Sequence, residues 1–176
     1  MHRHRIALLA ATLIAASAAP AAAHAPAPAL VGPPWLSIEL PANPLDPTTK
    51  GAFLVVRTYH HDRSTPFPVE GRAEGLVRGE RKSLPLSFER TSQEHALALR
   101  RTWPAEGAWV LVITGMPGEG SVTALVSIGD DGVVRQVRVP SRSAENGRWT
   151  VPVQVSAADV EAELRRAAGT TALGTR

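Results

Sequence analysis

The chain has 176 residues, of which 44% are apolar, with no Cys, 15 Pro and a formal net charge of +3. This length suits one domain with tails, and the apolar content is sufficient for a hydrophobic core. Because Cys is absent, disulfide scaffolds, Cys-ligated zinc, iron–sulfur clusters and thiol nucleophiles are excluded.

Residues 1–23 have the pattern of a secretory signal peptide. A basic start, MHRHR, is followed by the apolar run IALLAATLIAAS and by the small residues AAPAAA. This order is typical of a cleavable export signal, and the apolar run is shorter than the roughly 20 residues of a membrane span. Small residues at positions 21 and 23 predict cleavage after Ala23. We therefore expect a periplasmic or secreted protein with no membrane span after cleavage, an uncleaved anchor being the alternative.

Removal of the signal changes the charge balance. Arg3 and Arg5 leave with it and no acid does, so 17 basic and 16 acidic residues remain, a net charge of +1. No basic stripe interleaved with aromatic residues is present. Nucleic acid is therefore not an expected partner.

After the signal, the sequence predicts an extended arm and then a series of strands. The arm, residues 24–34, reads HAPAPALVGPP, and its Pro spacing forbids a helix. Short β-branched and aromatic runs then alternate with Gly, Pro, Asp and Asn turn signals, which is typical of strands. The nine predicted strands are residues 35–40, 52–60, 69–77, 82–88, 96–102, 108–114, 122–128, 133–139 and 149–155.

Two of these segments carry further information. Residues 108–113 are apolar at every position, which indicates a central strand covered on both faces. Residues 129–132, Gly-Asp-Asp-Gly, predict a tight hairpin because Asp and Gly tolerate positive φ angles.

One helix is predicted, at residues 157–168. Ser156 and Asp159 form a capping pair at its start, and Gly169 ends it. Val160 and Leu164 lie on one face. Residues 169–176 are expected to form a flexible tail.

These elements predict an all-β fold. We expect an antiparallel immunoglobulin-like β-sandwich at residues 35–155, with an N-terminal extended arm and a short C-terminal helix at residues 156–168. A small closed barrel is the alternative.

Four histidines are the candidate metal ligands. Cleavage after Ala23 would make His24 the N-terminus, where its α-amine and imidazole together suit Cu(II). A second ligand would come from His60, His61 or His95. His60 and His61 are neighbours at a strand end, so only one of them faces a given site. Copper is the one cofactor that the sequence suggests, although no spacing motif connects these residues.

The motifs of common enzymes are absent. The sequence contains no G-x-S-x-G nucleophile elbow and no S-x-x-K pattern, and no Lys follows the Gly-x-Gly-Ser at residues 118–121. Trp109, in the apolar run, is expected in the core. We therefore expect a protein that is not an enzyme.

Two motifs resemble small exported immunoglobulin-like domains. Residues 104–113 match P-x-x-G-x-W-x-L-x-I and follow the strand end Leu97-Ala98-Leu99, and residues 68–71 match P-V-x-G. This region, residues 52–114, is similar to the YtkA-like and FixH-like families and, more distantly, to the CopC-like copper carriers. In copper-carrying relatives the mature N-terminal His is a ligand, and the resemblance implies that role for His24.

The sequence therefore favours an exported, non-enzymatic binding or accessory protein of the bacterial envelope, with a protein partner. The Arg-rich, Lys-poor usage indicates a bacterial source with a GC-rich genome. One alternative is a periplasmic copper-binding carrier that uses His24. The other is a carbohydrate-binding or hydrolytic module.

Overall fold

The computed structural model describes residues 32–60, 63–118, 120–145, 147 and 149–169. Within these residues it contains one α-helix, and every paired strand is antiparallel to its neighbour. The prediction of a mostly antiparallel β-protein with one short helix is confirmed. The predicted signal peptide, most of the arm and residues 170–176 lie outside the described residues.

The described residues form twelve strands, more than the nine predicted. The strands are β1 Trp35–Glu39, β2 Leu54–His60, β3 Arg63–Ser64, β4 Val69–Val77, β5 Glu80–Pro85, β6 Phe88–Arg90, β7 Ala96–Leu99, β8 Ala108–Gly115, β9 Val122–Ile128, β10 Val134–Arg138, β11 Ser141–Ser143 and β12 Thr150–Pro152; the helix, α1, is Ala157–Gly169.

The strands form two large sheets and a small ribbon. The first sheet has the order β1-β2-β7-β6, with β3 beside β2, and the second has the order β10-β9-β8-β4-β5. The chain passes from one sheet to the other three times, after β3, β5 and β7. The ribbon consists of β11 and β12.

The main core lies between the two large sheets. Trp109, Leu111 and Ile113 of β8 are fully buried there, and they share one apolar cluster with Leu36 and Leu54 of the first sheet. Each such side chain contributes about 1.5–3 kcal/mol when it leaves water. In most strands, every second residue is apolar because its side chain faces this core.

A second, smaller core explains why β8 is apolar on both faces. Val110 and Val112, on its other face, pack against Val160, Leu164 and Ala167 of α1. The helix therefore covers the outer face of the second sheet. The prediction that residues 108–113 form a central strand covered on both sides is confirmed.

The start of α1 has the predicted capping pair. The backbone N–H of Ser156 donates to Asp159 Oδ2 (2.9 Å), and the N–H of Asp159 donates to Ser156 Oγ (3.2 Å). The hydrogen bond from the Ser156 hydroxyl is the main cause that lowers the pKa of Asp159. This reciprocal arrangement satisfies N–H groups that the first helical turn leaves unpaired.

Three predicted strands are wrong in their extent, one of which, at residues 96–102, ends at Leu99. The strand predicted at residues 82–88 ends at Pro85, and Phe88 begins β6 in the other sheet. Leu84, Leu86 and Phe88 all contact the main core, although the chain crosses from the second sheet to the first between Pro85 and Phe88. The alternation of apolar and polar residues therefore continues across this crossing, and the sequence pattern gives no sign of it. The strand predicted at residues 149–155 pairs only with β11, in the ribbon and in neither large sheet.

Gly75 provides a test of the main core. It lies opposite Trp109 in the β4–β8 pair, and a Cβ atom at Gly75 would lie 2.5 Å from ring atoms of Trp109. Because that ring is fully buried and has no space to move, we expect Gly75→Ala to lower the free energy of unfolding by about 1–3 kcal/mol. Urea unfolding followed by circular dichroism measures this. Gly32→Ala, where no atom lies within 4 Å of the added carbon, is the control; equal midpoints for the two variants would contradict the packing.

Candidate functional site

A cleft of about 390 Å³ opens at one end of the first sheet. There β2 changes partner, because its residues up to Arg57 pair with β7 whereas Tyr59 and His60 pair with β3. Thr58 lies at this change. Its N–H donates to the carbonyl of His95 (3.3 Å), and its carbonyl accepts from the N–H of Thr65 (3.0 Å). The cleft therefore lies between the β6–β7 turn and the segment after β3.

The cleft has an apolar floor and a polar rim. Phe67 and Leu97 contribute apolar surface, and the β6–β7 turn contributes Arg90, Glu94 and His95. Arg90 and Glu94 are exposed, and neither forms an ion pair with another described residue. The rim therefore presents one cation and one anion that no described side chain neutralises.

The buried carboxylate of Asp46 holds the cleft turn in place. It caps the short 3₁₀ helix Pro47–Thr49 by accepting from the Thr48 N–H (2.9 Å) and the Thr48 hydroxyl (2.6 Å). Its other oxygen accepts from the Ser92 hydroxyl (3.0 Å) and from Gln93 Nε2 (3.3 Å). These donors, the Thr48 hydroxyl above all, lower the pKa of Asp46. One ionised group thus connects the loop before β2 to the rim of the cleft.

The turn itself is folded tightly. Thr91 Oγ1 accepts from the N–H of Gln93 (3.1 Å), and the N–H of Thr91 donates to the carbonyl of Ala96 (3.2 Å). His95 has a φ angle of 56°, in the left-handed region that residues other than glycine adopt rarely, although His does so more often than most. Such a conformation persists where surrounding contacts determine it. The rim is therefore a fixed structure.

The outer edge of β6 is open beside this cleft. Thr91 and Ala96 form a hydrogen-bonded pair. Along an antiparallel ladder, hydrogen-bonded pairs alternate with pairs that are not hydrogen-bonded. The backbone N–H and carbonyl groups of Phe88 and Arg90 therefore point away from β7. Strand β6 is the last strand of its sheet, and no hydrogen bond from the described residues reaches these groups. The edge thus offers two N–H donors and two carbonyl acceptors next to the cleft.

The structure places two of the four predicted metal ligands. His60 ends β2, two residues beyond Thr58, and His95 lies opposite Thr58, so both are at the cleft end of the first sheet. His24 and His61 lie outside the described residues. Within the described residues, no group of three His, Asp or Glu side chains is placed to hold a metal ion.

A second polar cluster lies under α1. Glu163 is 1% exposed and accepts from the Ser127 hydroxyl (2.7 Å), from Arg138 (3.2 Å) and from Arg166 (2.9 Å). A buried carboxylate with three donors is fully partnered, so this cluster acts as a polar contact between the helix and the second sheet.

Sequence reasoning missed Asp46, Arg90, Glu94 and Glu163. Asp46 had a local signal, since Asp before Pro-Thr is typical of a helix cap. Glu163 had one as well, because it shares the apolar helix face of Val160, and a charge there indicates a buried partner. Nothing in the sequence indicates that Arg90 and Glu94 line one cleft, because only the fold brings Phe67 and Thr58 beside them.

Comparison with family models, with curated proteins and with solved structures finds no match for this chain. Among the described residues, no helix has the length and apolar character needed to cross a membrane. The fold and the cleft define a two-sheet β-protein with an opening at one end of its first sheet.

The role of Asp46 predicts a pH-dependent stability. Because folding lowers the pKa of Asp46, its ionised form stabilises the protein above the ordinary Asp value of about 3.9, and this contribution is lost as the pH falls through the lowered value. Asp46→Asn puts an amide donor where a carboxylate oxygen now accepts. We expect it to lower Tm by a few degrees at pH 7 and this difference to shrink as acid protonates Asp46, as measured by thermal circular dichroism.

Glu145→Gln is the matched control for this test, since it also removes one carboxylate charge but at an exposed position. It should leave Tm unchanged at both pH values. A Tm difference for Asp46→Asn that stays constant from pH 7 to pH 2 would show that the charge of Asp46 does not hold the turn.

Proposed function

We propose that the chain is an exported, non-enzymatic binding protein of the bacterial envelope, and that it holds a peptide segment in the cleft at the end of the first sheet. The observation that carries this proposal is the open edge of β6 beside the cleft. Export is supported by the basic, apolar and small-residue order of residues 1–23. A partner protein in the envelope would supply the peptide.

A peptide suits this site because it brings its own backbone donors and acceptors. An extended peptide that adds to a sheet edge gains main-chain hydrogen bonds, and its alternate side chains enter neighbouring pockets. The outward backbone groups of Phe88 and Arg90 are available for the main-chain hydrogen bonds. The apolar surface of Phe67 and Leu97 forms a pocket for a side chain of the peptide. A volume of about 390 Å³ is within the range of ligand sites.

The contacts in the cleft favour binding over catalysis. The Ser92 hydroxyl donates to Asp46, and the Thr91 hydroxyl donates to backbone carbonyls. Among the described residues, no hydrogen bond joins His95 to either hydroxyl. A hydrolytic site would pair its nucleophile with a base. A carbohydrate module gains no support from Trp stacking, because Trp103 and Trp109 are buried and the other two Trp are half-buried.

We further propose that the sandwich is of the immunoglobulin-like type, as the resemblance to YtkA-like and FixH-like domains implies. The strand order supports this. The first sheet, β1-β2-β7-β6, corresponds to strands A-B-E-D of that fold, and β5-β4-β8-β9 of the second corresponds to C′-C-F-G. Strand β10 is then an addition at the second sheet's edge.

Substitutions at Arg90 test peptide addition to β6. Arg90→Pro removes an outward N–H that is not used in the β6–β7 ladder, and proline is tolerated at such an edge position. We expect it to weaken binding of degenerate pentapeptide mixtures roughly tenfold, the effect of one lost hydrogen bond with an added steric block. Arg90→Ala keeps the N–H and should weaken binding less. Amide NMR titration measures both affinities.

The NMR titration also locates the peptide. Shifts should concentrate at Phe88, Arg90 and the β6–β7 turn. Shifts at the β5 or β10 edges instead, or equal affinities for the Pro and Ala variants, would contradict peptide addition to β6.

Copper binding at the same end of the sheet is a second candidate function. The observation that favours it is that His60 and His95 flank Thr58, since two imidazoles suit Cu(II). If the signal is cleaved after Ala23, His24 would supply a further ligand.

A copper titration tests this candidate. We expect His60→Ala and His95→Ala each to weaken Cu(II) binding roughly tenfold or more, because each removes one of the few nitrogen ligands. Electron paramagnetic resonance would report fewer coupled nitrogens. The imidazoles of His60 and His95 are not ligands if both variants retain the wild-type affinity and spectrum, and His24→Ala then tests the N-terminus separately.

A further inference from the structure

We infer that the cleft recognises short peptides with two free ends, through Arg90 for the terminal carboxylate and Glu94 for the terminal ammonium. This inference rests on the proposed peptide-binding function and adds the class of ligand. It starts from the two opposite charges on the rim.

These two charges are near each other in the chain and yet form no ion pair. Both lie on the rim of the cleft, on either side of the turn held by Asp46, and both are exposed. Some exposed residues of opposite charge pair in this domain, as Arg78 and Glu106 do at 2.7 Å. The rim therefore keeps a cation and an anion available to a ligand.

A short free peptide has the complementary charges. A guanidinium binds a carboxylate through two parallel hydrogen bonds, and a carboxylate accepts from an ammonium group. Two or three extended residues, at up to about 3.5 Å each, separate the charged ends of such a peptide by roughly 7–10 Å. Its apolar side chain would contact Phe67 and Leu97. An internal segment of a protein has neither a terminal ammonium nor a terminal carboxylate.

The turn between the two charges is already ordered. Asp46 accepts from Ser92 and Gln93, the residues between Arg90 and Glu94, and Thr91 closes the turn from within. Little backbone entropy is then lost when a ligand contacts both charges, which favours binding of a small molecule. The geometry of the rim thus serves recognition of both ends at once.

The test uses the tripeptide Ala-Leu-Ala in its free, N-acetylated, C-amidated and doubly blocked forms. With the wild-type protein, we expect each block to weaken binding roughly three- to tenfold, as measured by calorimetry or amide NMR shifts. Arg90→Gln should remove the difference between acid and amide while the effect of acetylation remains. Glu94→Gln should remove the effect of acetylation only. Both residues are exposed, so neither substitution should affect folding.

Arg142→Gln and Glu145→Gln are the matched controls, because they make the same charge changes at exposed positions near the ribbon. Both should leave the preference for free ends intact. Equal binding of all four tripeptide forms, or an end preference that Arg90→Gln and Glu94→Gln do not alter, would overturn the inference but not peptide addition to β6. Absence of cleft shifts with both the tripeptides and the pentapeptide mixtures would overturn the proposed function as well.

Discussion

The fold depends on the burial of strand β8 on both faces. One set of its side chains, including Trp109 and Leu111, fills the space between the sheets, and the alternate set, including Val110, contacts α1. No other strand of the described residues joins both apolar clusters so fully. Because cysteine is absent, this packing and the hydrogen-bonded ladders replace any disulfide as the source of stability. The neighbours β4 and β9 pair with β8 along nearly its whole length.

The two sheets consequently have different characters. The second sheet is enclosed by the core on one face and by α1 on the other, and the buried carboxylate of Glu163 fixes that helix. The hydrogen bond from Ser127 and the ion pair with Arg138 attach the helix to β9 and β10 of this sheet. The first sheet divides at Thr58, where the pairing of β2 with β7 stops and its pairing with β3 starts. The cleft opens at that division.

The sequence predicts what is local and fails where distant segments meet. The bounds of β4 and β9 agree with the predicted strands, since alternation and flanking turns are local signals. The crossing after Pro85 was missed because core-facing alternation continues across it. The site was missed for a stronger reason. Asp46 contacts Ser92 and Gln93 from 46 and 47 residues away, and no periodicity encodes that contact. Of the predicted histidines, His60 and His95 lie at the same end of the first sheet, and their role as metal ligands stays a prediction.

The location of the candidate site follows from these constraints. A binding surface needs polar groups that the fold itself does not use, and Glu74 and Arg81 of the second sheet are used in ion pairs. The β6–β7 turn is different, because the carboxylate of Asp46 satisfies its inner donors while Arg90 and Glu94 extend outward. One buried anion therefore holds Ser92 and Gln93, which lie between the two exposed charges. Loss of that anion would therefore lower stability through the turn and the loop before β2, whose contacts lie apart from the core around Trp109.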